Sequence, residues 1–181
     1  MRHTLLVLAL VLVAAAPADA YVLGDRSLKK GSRGGDVVTL QRVLTMKGYS
    51  LGAADGIFGR LTKRAVKSFQ RRRRLTADGV VGPLTTRALA DTWEVRTATY
   101  FGPGLYGNRT ACGKILRPHT RGIAHRSLPC GKPVPIYHNG RIGIFRVIDR
   151  GPFTDGVALD LTARSARRVG MRTTTSVRAG Y

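Results

Sequence analysis

The chain has 181 residues, and its 31 lysines and arginines outnumber its 10 aspartates and glutamates, which gives a formal net charge of +21. A charge of this sign attracts polyanions, yet no aromatic-interleaved basic strand and no recognition-helix pattern accompanies it, so the sequence argues against a nucleic-acid partner. The arginine excess can also simply maintain solubility.

The first 20 residues have the pattern of a secretory signal peptide. Arg2 and His3 precede an apolar run from Leu5 to Ala16, and Ala18-Asp19-Ala20 is typical of a cleavage site. This run falls short of the roughly 20 residues that a membrane-spanning helix needs. We therefore expect a secreted protein without a transmembrane segment, and residues 1–20 removed. An uncleaved N-terminal anchor is the alternative.

Residues 21–92 contain an internal repeat. The segment DGIFGRLT that begins at Asp55 recurs as DGVVGPLT beginning at Asp78. Each copy starts with an Asp-Gly turn, in which glycine accepts a positive φ, and a helix follows. We expect both aspartates to shape these turns rather than bind a metal, because a calcium loop needs several alternating oxygen ligands.

Helical spacing of apolar residues predicts three short helices in this part. The first stripe has Asp36 as its N-cap and Gly48 as its end, and it consists of Val37, Leu40, Val43 and Leu44. The second stripe consists of Leu61, Ala65, Val66 and Phe69. Pro83 suits the first position of a third helix.

The motifs G-x-x-G-x-x-V-x-x-L-Q, A-V-x-x-F-Q and D-G-x-x-G-x-x-T together resemble a peptidoglycan-binding type 1 module over about residues 24–90. The resemblance implies a helical accessory module that holds an enzyme on the bacterial wall. It therefore implies peptidoglycan glycan strands as a partner. The basic charge adds anionic wall polymers as a second class of partner.

From residue 93 onward the composition indicates β-structure. The segments TATYFG, PVPIYHNG, RIGIFRVIDRG and TTTSVRAGY read as short strands, with His138-Asn139-Gly140 as a hairpin turn. One short helix, LTARSARRVGM, has Thr162 as its cap and Gly170 as its end. Many short strands with one helix favour a small barrel.

Cys112 and Cys130 are the two cysteines of the chain. An even count in an exported chain favours a disulfide, which at this loop length stabilises by about 3 kcal/mol. Two free buried thiols are the alternative. A zinc site with His119 or His125 lacks the usual ligand spacing, so we expect no metal.

The segments TATYFGPGLYGNRTACG, GIAHRSLPCG, VIDRGPF and ALDLTARSARRVGM resemble the rare lipoprotein A family of double-psi β-barrels, related in fold to expansins and barwin. The match covers about residues 97–181. It implies a polysaccharide groove and, in some members, lytic transglycosylase activity. The expected fold is thus multidomain α + β: a signal peptide (1–20), a small three-helix peptidoglycan-binding module (21–92) and a six-stranded double-psi β-barrel (93–181).

The groove residues of that family fall on His125, Asp149 and Asp160, with Thr99 and Tyr100 at the start of the barrel. The sequence departs from the family pattern after T-A-x-G, where Lys114 and Arg117 replace acidic or amide residues. Cleavage is for this reason less firmly implied than binding.

Glycosidic cleavage needs a proton donor at the leaving oxygen, usually a carboxylic acid with a raised pKa. After Glu94 only Asp149, Asp155 and Asp160 offer one. We expect Asp149 or Asp160 to be the acid, with the other carboxylate or His125 orienting the sugar. The alternatives are that Asp149 binds backbone amides to hold the Gly151-Pro152 turn, that Asp160 caps the following helix, and that His125 is structural; Asp155 reads as a turn residue.

Substrate binding is predicted for Thr99, Tyr100, Phe153 and Arg150, although core packing of the aromatic residues is an equal alternative. The sequence thus predicts a monomeric, cofactor-independent lytic transglycosylase-like enzyme. A non-catalytic expansin-like protein that binds or loosens the wall is the main rival. A secreted polycation acting on membranes or nucleic acid would rest on charge alone.

Overall fold

The computed structural model describes residues 21–181, so the signal peptide expected at residues 1–20 lies outside the described residues. The helices are α1 (Gly35–Met46), α2 (Arg60–Arg72), α3 (Pro83–Ala90) and α4 (Ala163–Arg168). The strands are β1 (Val22–Leu23), β2 (Glu94–Phe101), β3 (Ile123–Ala124), β4 (Pro133–His138), β5 (Arg141–Asp149), β6 (Leu159–Thr162) and β7 (Thr175–Ala179). In residues 21–181 no helix combines the length and apolar character needed to cross a membrane.

The first three helices pack around one apolar core. The helix α1 buries its whole predicted stripe, Val37, Leu40, Val43 and Leu44. The helix α2 buries Ala65, Val66 and Phe69. Leu61, which was predicted to belong to the same stripe, is 46% exposed. Thr62 lies inward in its place, because its hydroxyl accepts a hydrogen bond from the buried side chain of Gln41.

The predicted N-cap at Asp36 is wrong. The helix α1 begins after Gly34, whose φ of 130° lies in the left-handed region, and Asp36 sits inside the first turn. Its carboxylate accepts hydrogen bonds from Arg26 (2.6 Å) and from the amide of Val37 (2.9 Å). An acid near a helix N-terminus is favourable even without a capping geometry. The helix ends as predicted, just before Gly48 with its φ of 83°.

A buried glutamine organises the first copy of the repeated turn. Gln41 Nε2 donates to Asp55 Oδ1 (2.8 Å) and to the Ile57 carbonyl (3.1 Å). Its Oε1 accepts from the amide of Gly56 at 2.9 Å. Asp55 Oδ1 also accepts from the Ile57 amide. The aspartate therefore shapes the turn, as its sequence context predicted.

The second copy repeats these contacts. Gln70 Nε2 donates to Asp78 Oδ1 (2.7 Å) and to the Val80 carbonyl (2.9 Å), and its Oε1 accepts from the Gly79 amide (2.9 Å). The repeat of the sequence is thus a repeat of one hydrogen-bonded unit, a helix glutamine that holds the Asp-Gly turn that follows it.

Six strands close into the predicted barrel. Their hydrogen-bonded order runs β5-β3-β6-β2-β7-β4, and β4 pairs again with β5. The pairs β2–β6 and β3–β5 are parallel, and the remaining pairs of the barrel are antiparallel. Asn139 and Gly140, with φ of 46° and 76°, form the predicted hairpin turn between β4 and β5. Thr162 caps α4 as predicted, accepting from the Ser165 amide.

Three short strands were not predicted: β1, β3 and β6. Of these, β1 joins the two halves of the molecule, because Leu23 pairs with Ile142 of β5. Leu23, Ile142 and Ile144 belong to the same buried cluster as the apolar stripes of α1 and α2. The barrel therefore shares a hydrophobic core with the helical module, and it has a second core of its own.

Candidate active site

Four residues on neighbouring strands form one row, which we call the acidic row: Asp149, Ala124, Asp160 and Thr99. Asp149 of β5 and Asp160 of β6 both pair with Ala124 of β3, and Thr99 of β2 pairs with Asp160. Adjacent positions on β2, β3 and β6 are buried in the barrel core: Ala98, Ile123, Leu159 and Leu161. Because side chains alternate along a strand, the row faces outward. Ala124, whose side chain is a single methyl group, lies between the two acidic positions.

An irregularity in β5 brings Asp149 into this row. Ile123 pairs with Val147, but the next residue, Ala124, pairs with Asp149, so Ile148 is an extra residue on β5. Val147 points into the core, and Asp149 would do the same in a regular strand. The extra residue acts as a β-bulge, and it turns Asp149 to the outer face.

Asp149 is held by the backbone. Its Oδ1 accepts hydrogen bonds from the amides of Ala111 (2.8 Å) and Arg150 (2.9 Å). Asp149 therefore binds backbone amides, as the alternative interpretation predicted, but neither amide belongs to the Gly151-Pro152 turn that it was expected to hold. The two amides fix the carboxyl group at its place in the acidic row.

Asp160 is half-buried, and its pKa is raised above the ordinary value of an aspartate. Burial raises the pKa of Asp160, the hydrogen bond from Thr99 opposes that rise, and the charge of Asp149 adds to it. Thr99 Oγ1 donates to Asp160 Oδ1 at 2.9 Å. Asp160 does not cap α4, because Thr162 takes that role. A carboxyl group with a raised pKa beside a second carboxylate is the arrangement that general-acid catalysis uses.

His125 follows Ala124 directly and lies at the edge of the acidic row. Its Nδ1 accepts hydrogen bonds from the amides of Ser127 (3.2 Å) and Leu128 (3.1 Å), which places the ring proton on Nε2. Burial lowers the pKa of His125, and the cations around it, led by Lys132, lower it further. The ring therefore presents a neutral Nε2–H donor. It also packs edge-on against the ring of Tyr181, with centroids 5.1 Å apart.

Arg150 contacts the loop that follows His125. Its guanidinium donates to the carbonyls of Leu128 (3.1 Å) and His125 (3.4 Å) and approaches Cys130 Sγ. These contacts brace the loop that orients His125. A role for Arg150 in substrate binding stays a prediction, and the observed contacts indicate positioning.

The predicted disulfide between Cys112 and Cys130 is present, with Cα atoms 5.7 Å apart. It joins the loop that carries Ala111, the amide donor to Asp149, to the loop that follows His125. The cross-link therefore holds the supports of two site residues together.

The two aromatic residues predicted to bind substrate, Tyr100 and Phe153, lie in different places. Phe153 is 77% exposed on the loop after Asp149. Arg126 fixes that loop by donating to the carbonyls of Pro152 (2.6 Å) and Thr154 (2.9 Å), on either side of the ring. Tyr100 is the neighbour of Thr99 on β2, and it lines a separate hollow with Arg141 and Arg167. The structure therefore does not bring Tyr100 together with the acidic row.

Sequence reasoning missed two contributors to the site, the amide of Ala111 and the ring of Tyr181. The disulfide was the available signal for Ala111, because it implies that residue 112 lies beside residue 130. No local signal pointed to Tyr181. Among residues 21–181 no group of three or more His, Cys, Asp or Glu side chains is placed to hold a metal ion.

Comparison with known families agrees with the two-part architecture. Residues 33–89 match the family model described as "Putative peptidoglycan binding domain", and residues 96–181 match the model described as "Lytic transglycolase". A Synechocystis sp. protein named "Probable endolytic peptidoglycan transglycosylase RlpA" is 42% identical over 76 residues, which are 41% of this chain and 24% of that protein. Residues 96–181 are RlpA-like, and residues 33–89 are similar to a peptidoglycan-binding domain.

Other relatives cover similarly limited parts. The "Endolytic peptidoglycan transglycosylase RlpA" of Yersinia pestis is 34% identical over 90 residues, 49% of this chain and 25% of that protein. The matched segment thus spans about a quarter of the length of these two relatives. A solved peptidoglycan-binding protein from Clostridioides difficile is 42% identical, with a TM-score of 0.34, covering 35% of this chain and 40% of that one. The acidic row lies within the RlpA-like part of the chain.

Proposed function

We propose that this chain is an exported, wall-associated enzyme that cleaves the β-1,4 bonds between N-acetylmuramic acid and N-acetylglucosamine by lytic transglycosylation. The observation that carries the proposal is the acidic row, in which Asp149 and Asp160 flank Ala124 on an outward face. The match to the lytic transglycosylase model and the names of the relatives support it. The chemistry proposed uses no metal or organic cofactor.

Asp160 is the proton donor in this proposal, because its pKa is raised by burial and by the neighbouring carboxylate. The proton passes to O4 of N-acetylglucosamine as the bond from that oxygen to C1 of the muramoyl sugar breaks. The C6 hydroxyl oxygen of the muramoyl sugar then bonds to C1, and its proton passes to the Asp160 carboxylate. The product is a 1,6-anhydro sugar, no water is consumed, and Asp160 ends protonated as it began.

Asp149 and His125 have supporting roles. Positive charge develops on the sugar ring when the glycosidic bond breaks, and the Asp149 carboxylate, fixed by two amides, stabilises that charge. The Nε2–H of His125 donates to a sugar oxygen. Phe153, exposed on its braced loop, supplies a face on which a sugar ring stacks.

We further propose a division of labour between the two parts of the chain. Residues 21–92 hold the enzyme on peptidoglycan, and residues 93–181 carry out cleavage. Anionic wall polymers contact the basic face of α2, where Arg60, Lys63, Arg64, Lys67 and Arg71 line one hollow with Lys30. The protein acts as a monomer.

The test is product analysis on peptide-free glycan strands. The wild-type chain should release fragments with 1,6-anhydromuramoyl ends, which mass spectrometry recognises because they lack one water relative to hydrolysis products. Asp160→Asn should lower the rate by about 10²- to 10⁴-fold, the usual contribution of a general acid. Asp155→Asn is the matched control, because Asp155 is exposed in a turn of the same segment and should leave the rate unchanged.

Two results would contradict the proposal: fragments that incorporate water, or full activity of the Asp160→Asn variant. The rival is a non-catalytic, expansin-like protein, and the basic Lys114 and Arg117 at the position of family acids favour it. Cosedimentation with purified wall but no released fragment would select that rival.

A further inference from the structure

A cleft of about 780 Å³ separates the helical module from the barrel. Both parts of the chain form its walls: the ends of α1 and α2 lie on one side, and β4, the start of β2 and the C-terminal residues lie on the other. Seven of its lining residues carry positive charge or aromatic rings: Lys47, Tyr49, Phe69, Arg72, Arg73, Trp93 and Tyr181. Apart from Tyr181, which packs against His125, none of these residues contributes to the candidate active site.

The charge in the cleft is predominantly positive. Lys47, Arg72 and Arg73 line it, and in the described part of the chain none of the three forms an ion pair. Glu94 is the acidic side chain at the rim, and it pairs with Arg96. Burial lowers the pKa of Lys47, and the charge of Arg73 lowers it further while Asp91 opposes the change. An anion bound here would relieve the mutual repulsion of these cations.

The cations are positioned by aromatic rings. Lys47 Nζ lies 5.3 Å from the ring centroid of Trp93 and donates to Thr92 Oγ1 at 3.1 Å. Arg72 lies over Tyr49 at 5.6 Å. Fixed cations next to aromatic rings suit a ligand that has both an anionic group and a flat sugar face.

Tyr181 connects the cleft with the candidate active site. Its ring lines the cleft, and it also lines the hollow beside His125, Arg126 and Arg96. A polymer that lies across His125 therefore meets the cleft at Tyr181 without leaving the protein surface.

We propose that this cleft binds muramoyl units of a glycan strand that extends from the acidic row past Tyr181. The free lactyl carboxylate of one peptide-free muramoyl unit pairs with Lys47, Arg72 and Arg73, and its sugar ring packs against the aromatic residues. The identity of this ligand rests on the proposed function, which makes the same strand the substrate. The site itself is distinct from the catalytic row.

Trp93 provides a direct readout, because it is the single tryptophan of the chain and lines the cleft. The Asp160→Asn variant should be titrated with peptide-free glycan strands, so that the ligand stays intact, and tryptophan fluorescence followed. We expect a saturable change. Chitin oligomers of equal length lack the lactyl carboxylate. They should bind about tenfold more weakly, because each exposed ion pair contributes only modestly to the binding free energy.

Charge removal separates the cleft from the general basicity of the protein. Changing Lys47, Arg72 and Arg73 to glutamine should weaken glycan binding about tenfold. A matched variant with Lys29, Arg87 and Arg172 changed to glutamine removes the same charge from exposed positions outside the cleft and the basic face of α2, and it should bind with unchanged affinity. If the triple cleft variant does not fold, Arg72→Gln alone, at an exposed position, should still weaken binding measurably.

Three results would overturn this proposal: no tryptophan response at saturation, equal weakening in both triple variants, or tighter cleft binding by peptide-bearing strands, which would assign the cleft to the stem peptide. These outcomes are independent of the cleavage assay. Cleavage without a Trp93 response would refute glycan binding in the cleft and leave the proposed enzymatic function intact. A Trp93 response without anhydro fragments would support glycan binding in the cleft and refute the proposed enzymatic function.

Discussion

At the scale of single residues, the protonation of Asp160 depends on two neighbours that act in opposite directions. Burial and the charge of Asp149 raise its pKa, and the hydrogen bond from Thr99 lowers it. A general acid works only while it is protonated, so activity should decline as pH rises through this raised pKa. The pH at which activity declines therefore depends on burial of Asp160 and on the opposing effects of Asp149 and Thr99.

Opposite shifts of the pH profile are expected for variants of these neighbours. Asp149→Asn removes the like charge and lowers the Asp160 pKa, so the decline in kcat/KM moves to lower pH. Thr99→Val removes the hydrogen bond to the carboxylate and raises that pKa, so the decline moves to higher pH. The pH dependence of kcat/KM for both variants and the wild type checks this. Shifts in the same direction, or none, would show that Asp160 does not control the profile.

The identities of the site residues were partly accessible from sequence. Acids are so scarce after Glu94 that Asp149 and Asp160 stood out, and the resemblance singled out His125. Their geometry was not accessible, because the extra residue Ile148 that turns Asp149 outward is defined only by the pairing with β3. The observed contacts of Arg150 likewise depend on a loop that sequence places only approximately.

At the level of secondary-structure elements, one buried glutamine on α1 and one on α2 each bind the Asp-Gly turn that follows the helix. Gln41 Oε1 accepts the hydrogen bond of the buried Gly56 amide, and its Nε2 fixes Asp55. Gly56 has a φ of 76°, so the turn itself depends on a residue that tolerates the left-handed region. The side chain of Gln41, which lies on α1, therefore stabilises the Asp55-Gly56 turn that follows this helix.

Replacing either glutamine by alanine should destabilise the protein. Gln41→Ala leaves the Gly56 amide without its partner, and a buried unsatisfied donor costs about 1–3 kcal/mol. Gln70→Ala should cost a similar amount, because its contacts are the same. Urea denaturation measures the free energy of unfolding, with Arg64→Ala on the exposed side of α2 as the control. An effect of either glutamine variant no larger than that of the control would refute the role of the glutamine.

Long elements with a local sequence pattern could be predicted, whereas short elements that depend on distant partners could not. Helical periodicity revealed α1 and α2, because a stripe of four apolar residues is a local signal. The two-residue strand β3 has no such signal, yet it lies between β5 and β6 and carries Ala124. The misplaced N-cap at Asp36 has a similar cause, because the side chain is engaged by Arg26, ten residues away.

At the scale of the whole molecule, the two parts of the chain are continuous in structure although they match different families. Leu23 precedes the first helix of the helical module, and it both pairs with the barrel strand β5 and packs in the core of the helices. Ile142 and Ile144 extend the same core from the barrel side. The walls of the cleft between the parts are therefore held at a fixed separation, which the proposed glycan path across Tyr181 requires.

Cooperative unfolding of the whole described chain follows from this shared core. Calorimetry should show one transition, with equal calorimetric and van't Hoff enthalpies, because the helical module cannot unfold without exposing Ile142 and Ile144. Leu23→Ala should lower stability by about 2–5 kcal/mol, the range for a buried leucine, and move that single transition to lower temperature. Leu84→Ala, at a position that is 74% exposed on α3, is the matched control and should leave it in place. Two separate transitions in the wild type would mean that the parts fold independently, and the cleft would then have no fixed geometry with which to recognise a strand.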